Sequence, residues 1–237
     1  IYIPSTIDKT NGSVILKMYV MPVSPCATEQ SKSFVLSFIA EPVASAGPSL
    51  TQCDLPFTIT TATATMNTIS SLRWTTSGSG TFNVDNTINP TYTPSALDVQ
   101  NSPITLTLTA NPIEPCAVPL VTTTLVNLVK SPTVTIASPQ PTICQDATNV
   151  LVSGTVVANA ASFTWTSTTG TTISNATSLT PLVTPSATDI SNGYIDVTIT
   201  AIPNAPCGTN VVKTVRIPVQ LLPIVNAGAS QTLCEGT

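Results

Sequence analysis

The chain has 237 residues, a formal net charge of −4 and charged side chains at only 8% of positions. It holds seven Lys plus Arg, eleven Asp plus Glu and no His. This excludes Ser-His-Asp and Cys-His relays, His metal ligands and the basic footprint of a nucleic-acid binder.

Hydrophobic residues make up 42% of the chain, enough to supply a core and to argue against disorder. About one residue in six is Thr. Thr, Val and Ile are β-branched and suit a pleated surface better than a helix. No apolar run approaches the ~20 residues that span a bilayer, so no membrane insertion is expected. The first residues, IYIPSTIDKT, lack the basic start and apolar core of a signal peptide.

In chain order, the first clear strand is Val14–Val20, which alternates apolar and polar side chains. Further strands are expected near 57–64 and 71–77, the second carrying Trp74. Ser77-Gly78-Ser79-Gly80 reads as a turn and not a phosphate loop, because no Lys-Ser/Thr or helix follows. Thr93-Pro94-Ser95-Ala96 forms the turn into Ile104–Ala110, a strict alternation with hydroxyls on one face. Asp98 is expected to cap that turn through local backbone hydrogen bonds, with calcium ligation as the alternative. Strands then follow near 120–129, 149–157, 162–167 (with Trp165), 195–201 and 211–219.

The cysteines show that this series repeats. They stand at 26, 53, 116, 144, 207 and 234, with gaps of 27, 63, 28, 63 and 27 residues. Pro25-Cys26 returns as Pro115-Cys116 and Pro206-Cys207. Thr93-Pro94-Ser95-Ala96 returns as Thr184-Pro185-Ser186-Ala187, and Asp8, Asp98 and Asp189 follow at one offset. Pro42, Pro132 and Pro223 mark equivalent joints. The expected organisation is the second half of a repeat (1–42), two whole repeats (43–132 and 133–223) and the start of a fourth (224–237). The chain therefore reads as a window on a longer array. About seven short strands per repeat point to an all-β fold of tandem immunoglobulin-like sandwiches, with Trp74 and Trp165 on the third strand facing the core.

Several stretches carry a resemblance to a known family. They are Ala46-Gly47 to Cys53, Arg73 to Phe82, Asn89-Pro90-Thr91-Tyr92-Thr93-Pro94-Ser95-Ala96, and Thr105 to Cys116. They resemble the PKD-like or Ig-like repeats of giant cell-surface proteins of gliding Bacteroidetes. The second whole repeat departs from the pattern, with Thr169 in place of Gly78 and Val183 in place of Tyr92. The resemblance implies export by a type IX secretion system, an extracellular location at the cell surface, and work as an adhesin or stalk beside the gliding machinery.

An export context favours disulfides over buried thiols or a metal site, since no Cys-x-x-Cys is present. Pairing within each repeat would join Cys53 to Cys116 and Cys144 to Cys207. Ig-like topology places those partners at opposite ends of a domain, whereas a disulfide needs Cα atoms within about 7 Å. The preferred expectation is an interdomain bond from Cys53 to Cys207. Cys26, Cys116, Cys144 and Cys234 would then pair with neighbouring repeats or remain open. Such a bond, with a proline at each joint, would stiffen an extended array.

No catalytic residue, cofactor or metal is expected, and the chain does not read as an enzyme. The expected partners are adjacent repeats of the same chain. The alternative is a module whose loops bind surface polysaccharide, for which Tyr2 or Tyr92 would be stacking platforms. Asn11-Gly12-Ser13 and Asn175-Ala176-Thr177 match the glycosylation pattern but read as turns. Lys17 has Thr107 and Thr198 as equivalents, so it reads as a solvent-facing lysine and not a repeated crosslink.

Overall fold

Alternating apolar and hydroxyl residues fold as antiparallel ladders, because a strand sends successive side chains to opposite faces. The computed structural model describes residues 1–232 and 234–236. The chain divides into two units, Ile1–Leu128 and Val129–Thr237.

The first unit opens with a short helix α1 (Thr6–Asn11) and a hairpin of β1 (Ser13–Val20) and β2 (Gln30–Ser37). Then come β3 (Ala44–Ser45), β4 (Leu50–Cys53), β5 (Phe57–Thr58), β6 (Thr63–Ala64), β7 (Ile69–Thr76), β8 (Thr81–Phe82) and β9 (Thr91–Thr93). Helix α2 (Ala96–Gln100) leads into β10 (Ile104–Pro112) and β11 (Leu120–Val129). One sheet has the order β4-β11-β10-β7. Facing it are β5-β9-β8 and the pair β3-β6. The core takes Ala46, Ile59 and Tyr92 from one side and Leu72, Trp74, Leu106 and Leu108 from the other, which makes the fold an Ig-like sandwich.

The second unit repeats this plan. Its strands are β12 (Thr133–Thr135), β13 (Ile143–Cys144), β14 (Val150–Leu151), β15 (Val156–Ala158), β16 (Ala160–Thr166), β17 (Thr172–Ser174) and β18 (Leu182–Thr184). Helix α3 (Ala187–Asn192) then precedes β19 (Tyr194–Pro203) and β20 (Val211–Gln220). The main sheet has the order β13-β20-β19-β16, and β14-β18-β17 and β12-β15 face it. Strand β13 runs parallel to β20, pairing Ile143 with Val219 and Cys144 with Gln220.

Both tryptophans lie where the alternation puts them. Trp74 on β7 is opposite Leu108, and Trp165 on β16 is opposite Ile199. Each is almost fully buried, and each indole N–H donates to a loop carbonyl: Thr87 O at 3.0 Å and Ser178 O at 3.1 Å. A buried indole needs such an acceptor.

Two expected strands are broken. The run 57–64 is two strands, because β5 pairs with β9 in one sheet while β6 pairs with β3 in another. Between them Ile59 is wholly buried and its N–H bonds Pro90 O. The run 149–157 breaks in the same way at Gly154, where φ is +68° and a Cβ would strike Ala137. The Thr-Pro-Ser-Ala segments, expected as plain turns, open the helices α2 and α3.

The β1–β2 hairpin has the register of β10–β11, with Met18 opposite Lys32 where Leu108 faces Thr122. Leu108 is buried, but Met18 is 66% exposed. Replacing Leu108 or Ile199 by Ala is expected to cost about 2–5 kcal/mol in its own unit, from lost burial and the cavity left behind. The exposed Thr123→Ala control is expected to change stability by no more than about 0.5 kcal/mol. Urea unfolding of the three variants checks this.

Candidate functional site

Two kinds of place collect the chemistry-bearing residues: the turn before the sixth strand and the cysteine positions. At the turn, Ser95 caps α2, and its Oγ accepts from Asp98 N. Asp98 reaches back to Ser95 N, completing a capping box. The same box holds Ser5 with Asp8 and Ser186 with Asp189. Asp98 is only 1% exposed, and its oxygens also accept from Ser79 N at 2.7 Å, Gly80 N at 2.9 Å and the Tyr92 hydroxyl at 2.7 Å.

Burial alone would raise the Asp98 carboxyl. The bonds from Ser95, Tyr92 and Ser79 outweigh it and hold the group below its ordinary value. Asp189 is likewise lowered against its burial, by Thr169, Thr171 and Ser186. Burial, with the neighbouring Asp98, pushes the Tyr92 hydroxyl up to about 12. Every partner of the Asp98 carboxylate named here is an N–H or O–H donor. A hard cation needs several oxygen acceptors, so the calcium alternative does not fit this arrangement.

The two units solve the same problem with different residues. A Cβ at Gly78 would strike Asp98, and one at Gly80 would strike Asp98, Thr93 O and the Tyr92 hydroxyl. Where the second unit has Val183 in place of Tyr92, Thr169 and Thr171 stand in place of the glycines. Their hydroxyls donate to Asp189 at 2.5 and 2.6 Å. Tyrosine with two glycines, or valine with two threonines, both supply the carboxylate.

The cysteines fall into two positional classes. Cys53 ends β4 and Cys144 ends β13, whereas Cys26, Cys116 and Cys207 lie in the loops of the β1–β2, β10–β11 and β19–β20 hairpins. Cys53 and Cys207 are each disulfide-bonded. Cys26, Cys116 and Cys144 are free thiols, so neither intradomain pair, Cys53–Cys116 nor Cys144–Cys207, is formed. The second unit shows the physical reason. Cys144 is aligned with Gln220 at the end of β20, and Cys207 precedes the start of that strand at Val211. Ten residues of strand separate those levels by roughly 33 Å, well beyond disulfide reach. The Cys116 thiol donates to Ile39 O at 3.6 Å, and the Cys207 sulfur lies 3.5 Å from Val129 O. Cys234 is exposed.

No protein-family model and no curated protein matches the chain. Three solved structures show what it is similar to. Protocadherin gamma B7 extracellular cadherin domains 1–4 is 16% identical at a TM-score of 0.37, covering 90% of this chain and 58% of that one. Protocadherin gamma C5 domains 1–3 is 11% identical at 0.42, covering 88% and 77%. Drosophila OTK extracellular domains 3–5 is 12% identical at 0.40, covering 83% and 68%. The chain thus spans under three-fifths of the gamma B7 structure's length. The fold rests on the sheet topology above, and no function transfers at these scores.

Sequence reasoning missed one cluster. Arg216 makes a two-pronged ion pair with Asp196 at 2.8 and 2.7 Å, and its guanidinium lies 3.7 Å over the Tyr194 ring. The equivalent positions in the first unit are Leu125, Thr105 and Pro103, and this unit-specific change was the available signal. Lys17 sits over the Tyr19 ring. Tyr92 is buried in the core against Phe57 and Phe82, which withdraws it as a sugar platform. Tyr2 is 40% exposed and bonds Asp8.

The lowered carboxyls set a pH dependence. Asp98 and Asp189 titrate lower folded than unfolded, so their stabilisation is complete above the unfolded value of about 3.9. It is lost as pH falls from there through the folded values. Melting curves from pH 7 to pH 2 are expected to hold level and then drop below about pH 4. Asp98→Asn with Asp189→Asn is expected to lower the pH 7 melting point and flatten the acid drop. An unchanged drop would refute the assignment.

Proposed function

We propose that the chain is a structural stalk segment of a large extracellular adhesin, built from disulfide-linked Ig-like repeats at 43–132 and 133–223. The bond runs from Cys53 in one repeat to Cys207 in the next. The observation that carries this reading is the state of the cysteines: Cys53 and Cys207 are both disulfide-bonded, while Cys116 and Cys144, their partners in the intradomain alternative, are thiols. The roughly 90-residue period, the scarcity of charge and the Thr-rich outward strand positions support a repeated shaft. The finer reading is a cell-surface adhesin of gliding bacteria of the SprB kind, exported by type IX secretion. It rests on the quoted motifs alone.

A bond of this kind carries load directly. Pulling on the ends would pass force through the sulfur bridge instead of unravelling the residues between 53 and 207. Peptide mapping without reduction is expected to give a 53–207 pair, and a 53–116 pair would overturn the proposal. Single-molecule stretching is expected to show that the stretch between the two cysteines extends only after reductant is added.

The Tyr194–Arg216–Asp196 cluster favours a second reading, a polysaccharide-binding module, because it is aromatic, polar and confined to one unit. Binding to a polysaccharide panel that is lost in Tyr194→Ala would select it over the stalk.

A further inference from the structure

Within the second unit, β19 pairs with β20 over Val211–Pro218, but β13 on the other side reaches only Val219 and Gln220. The matching side of β11 in the first unit carries a longer strand, the four residues of β4 against the two of β13. Two threonines of β11 also tie down the segment that runs beside it. Thr122 Oγ1 accepts from Ala46 N at 2.9 Å, and Thr124 Oγ1 donates to Pro48 O at 2.6 Å. By the repeat spacing, Lys213 and Val215 stand in place of these threonines, and Ile136 and Ser138 in place of Ala46 and Pro48. A lysine ammonium cannot accept an N–H and a valine has nothing to donate, so both ties are lost. Ala46 is 1% exposed, whereas Ile136 is only half-buried. A cleft of about 550 Å³ lies here, and its lining includes Ile136, Ser138, Pro139, Lys213, Arg216 and Pro218.

The lining selects an occupant. It holds two cations and no acid, in a chain whose net charge is −4. Lys213 is exposed and makes no ion pair among the described residues. Arg216 gives Nε and Nη2 to Asp196, which orients the guanidinium and leaves the two N–H donors of Nη1 for a ligand. Ile136, Pro139 and Pro218 offer apolar surface to the C–H face of a ring, and Ser138 offers a hydroxyl. An added peptide strand fits this edge poorly, because Pro218 has no N–H to pair and an edge lysine works against strand addition.

We infer that this cleft binds a uronic-acid residue of an acidic polysaccharide, with the sugar carboxylate on Lys213 and Arg216 and the ring over the prolines. The inference rests on the second reading above, the polysaccharide-binding module, and gives that module its ligand class. Arg216 belongs both to the cleft and to the Tyr194 cluster, so the two form one surface. The first unit has Thr122 and Leu125 in place of the two cations, and only the second unit binds. The chain's net negative charge opposes an acidic polymer weakly at physiological salt, where charges more than about 8 Å apart are largely screened. A carboxylate in direct contact with Lys213 is screened far less.

The test is titration calorimetry of the full chain with polygalacturonate and alginate, with their carboxyl-reduced neutral forms, and with polyglutamate. A uronate polymer is expected to bind about tenfold or more tighter than the neutral forms and polyglutamate. Lys213→Thr with Val215→Thr gives the cleft the first unit's residues and should weaken uronate binding about tenfold, with a melting curve confirming that the variant is folded. Lys213→Arg keeps the charge and should stay within about threefold. Polyglutamate binding as tightly as the uronates would overturn the inference, since charge alone would then be recognised. So would unchanged affinity in the double variant, and self-association of that variant would then mark Lys213 as a guard of the strand edge. Neutral forms that bind as well as the uronates, with binding lost in Tyr194→Ala, sink this inference and keep the module reading. Failure of every polysaccharide to bind sinks both.

Discussion

A carboxylate placed inside a small protein must be surrounded by donors or it does not stay charged. Each unit is organised by that constraint at Asp98 or Asp189. The carboxylate fastens the first turn of a helix, the loop after the Trp-bearing strand and, in the first unit, an aromatic side chain buried in the core. It thereby fixes where the chain leaves one sheet and enters the next, and the long strand that follows starts in a defined register. The ladder β10–β7, and with it the burial of Trp74 opposite Leu108, depends on that start.

The comparison of the units shows the constraint as a chemical requirement and not as a fixed set of residues. In the first unit a phenol and two backbone N–H groups fill the carboxylate's lone pairs, and glycines keep the space open. In the second, two threonine hydroxyls do so after the phenol is gone. Changing one residue alone would leave a clash or an unfilled acceptor, so the substitutions belong together.

Much of this was legible in the sequence. Strict alternation located Ile104–Ala110 and 195–201, and the spacing of cysteines and tryptophans gave the period and the core position of Trp74 and Trp165. The capping role of Asp98 followed from its place just after the Thr-Pro-Ser-Ala turn, at an offset shared with Asp8 and Asp189. Less legible were the places where a strand changes sheets. In 57–64 all but Ala62 and Ala64 are good strand formers, and only the partner strand decides that β5 belongs with β9 and β6 with β3. Thr169 looked like a departure from the repeat because its compensating partner Val183 is distant in sequence. The Asp196–Arg216 pair was invisible for a related reason. Its members lie on neighbouring strands, and pairing register is not written in either segment alone.

The two buried carboxylates are held by neutral donors, with no lysine or arginine among the bonds described here. Dissolved ions screen attraction between charges but compete poorly with a buried N–H or O–H. The outward faces carry threonine hydroxyls where most proteins carry ions. A chain made this way draws little of its cohesion from ion pairs, the interactions that dissolved salt screens.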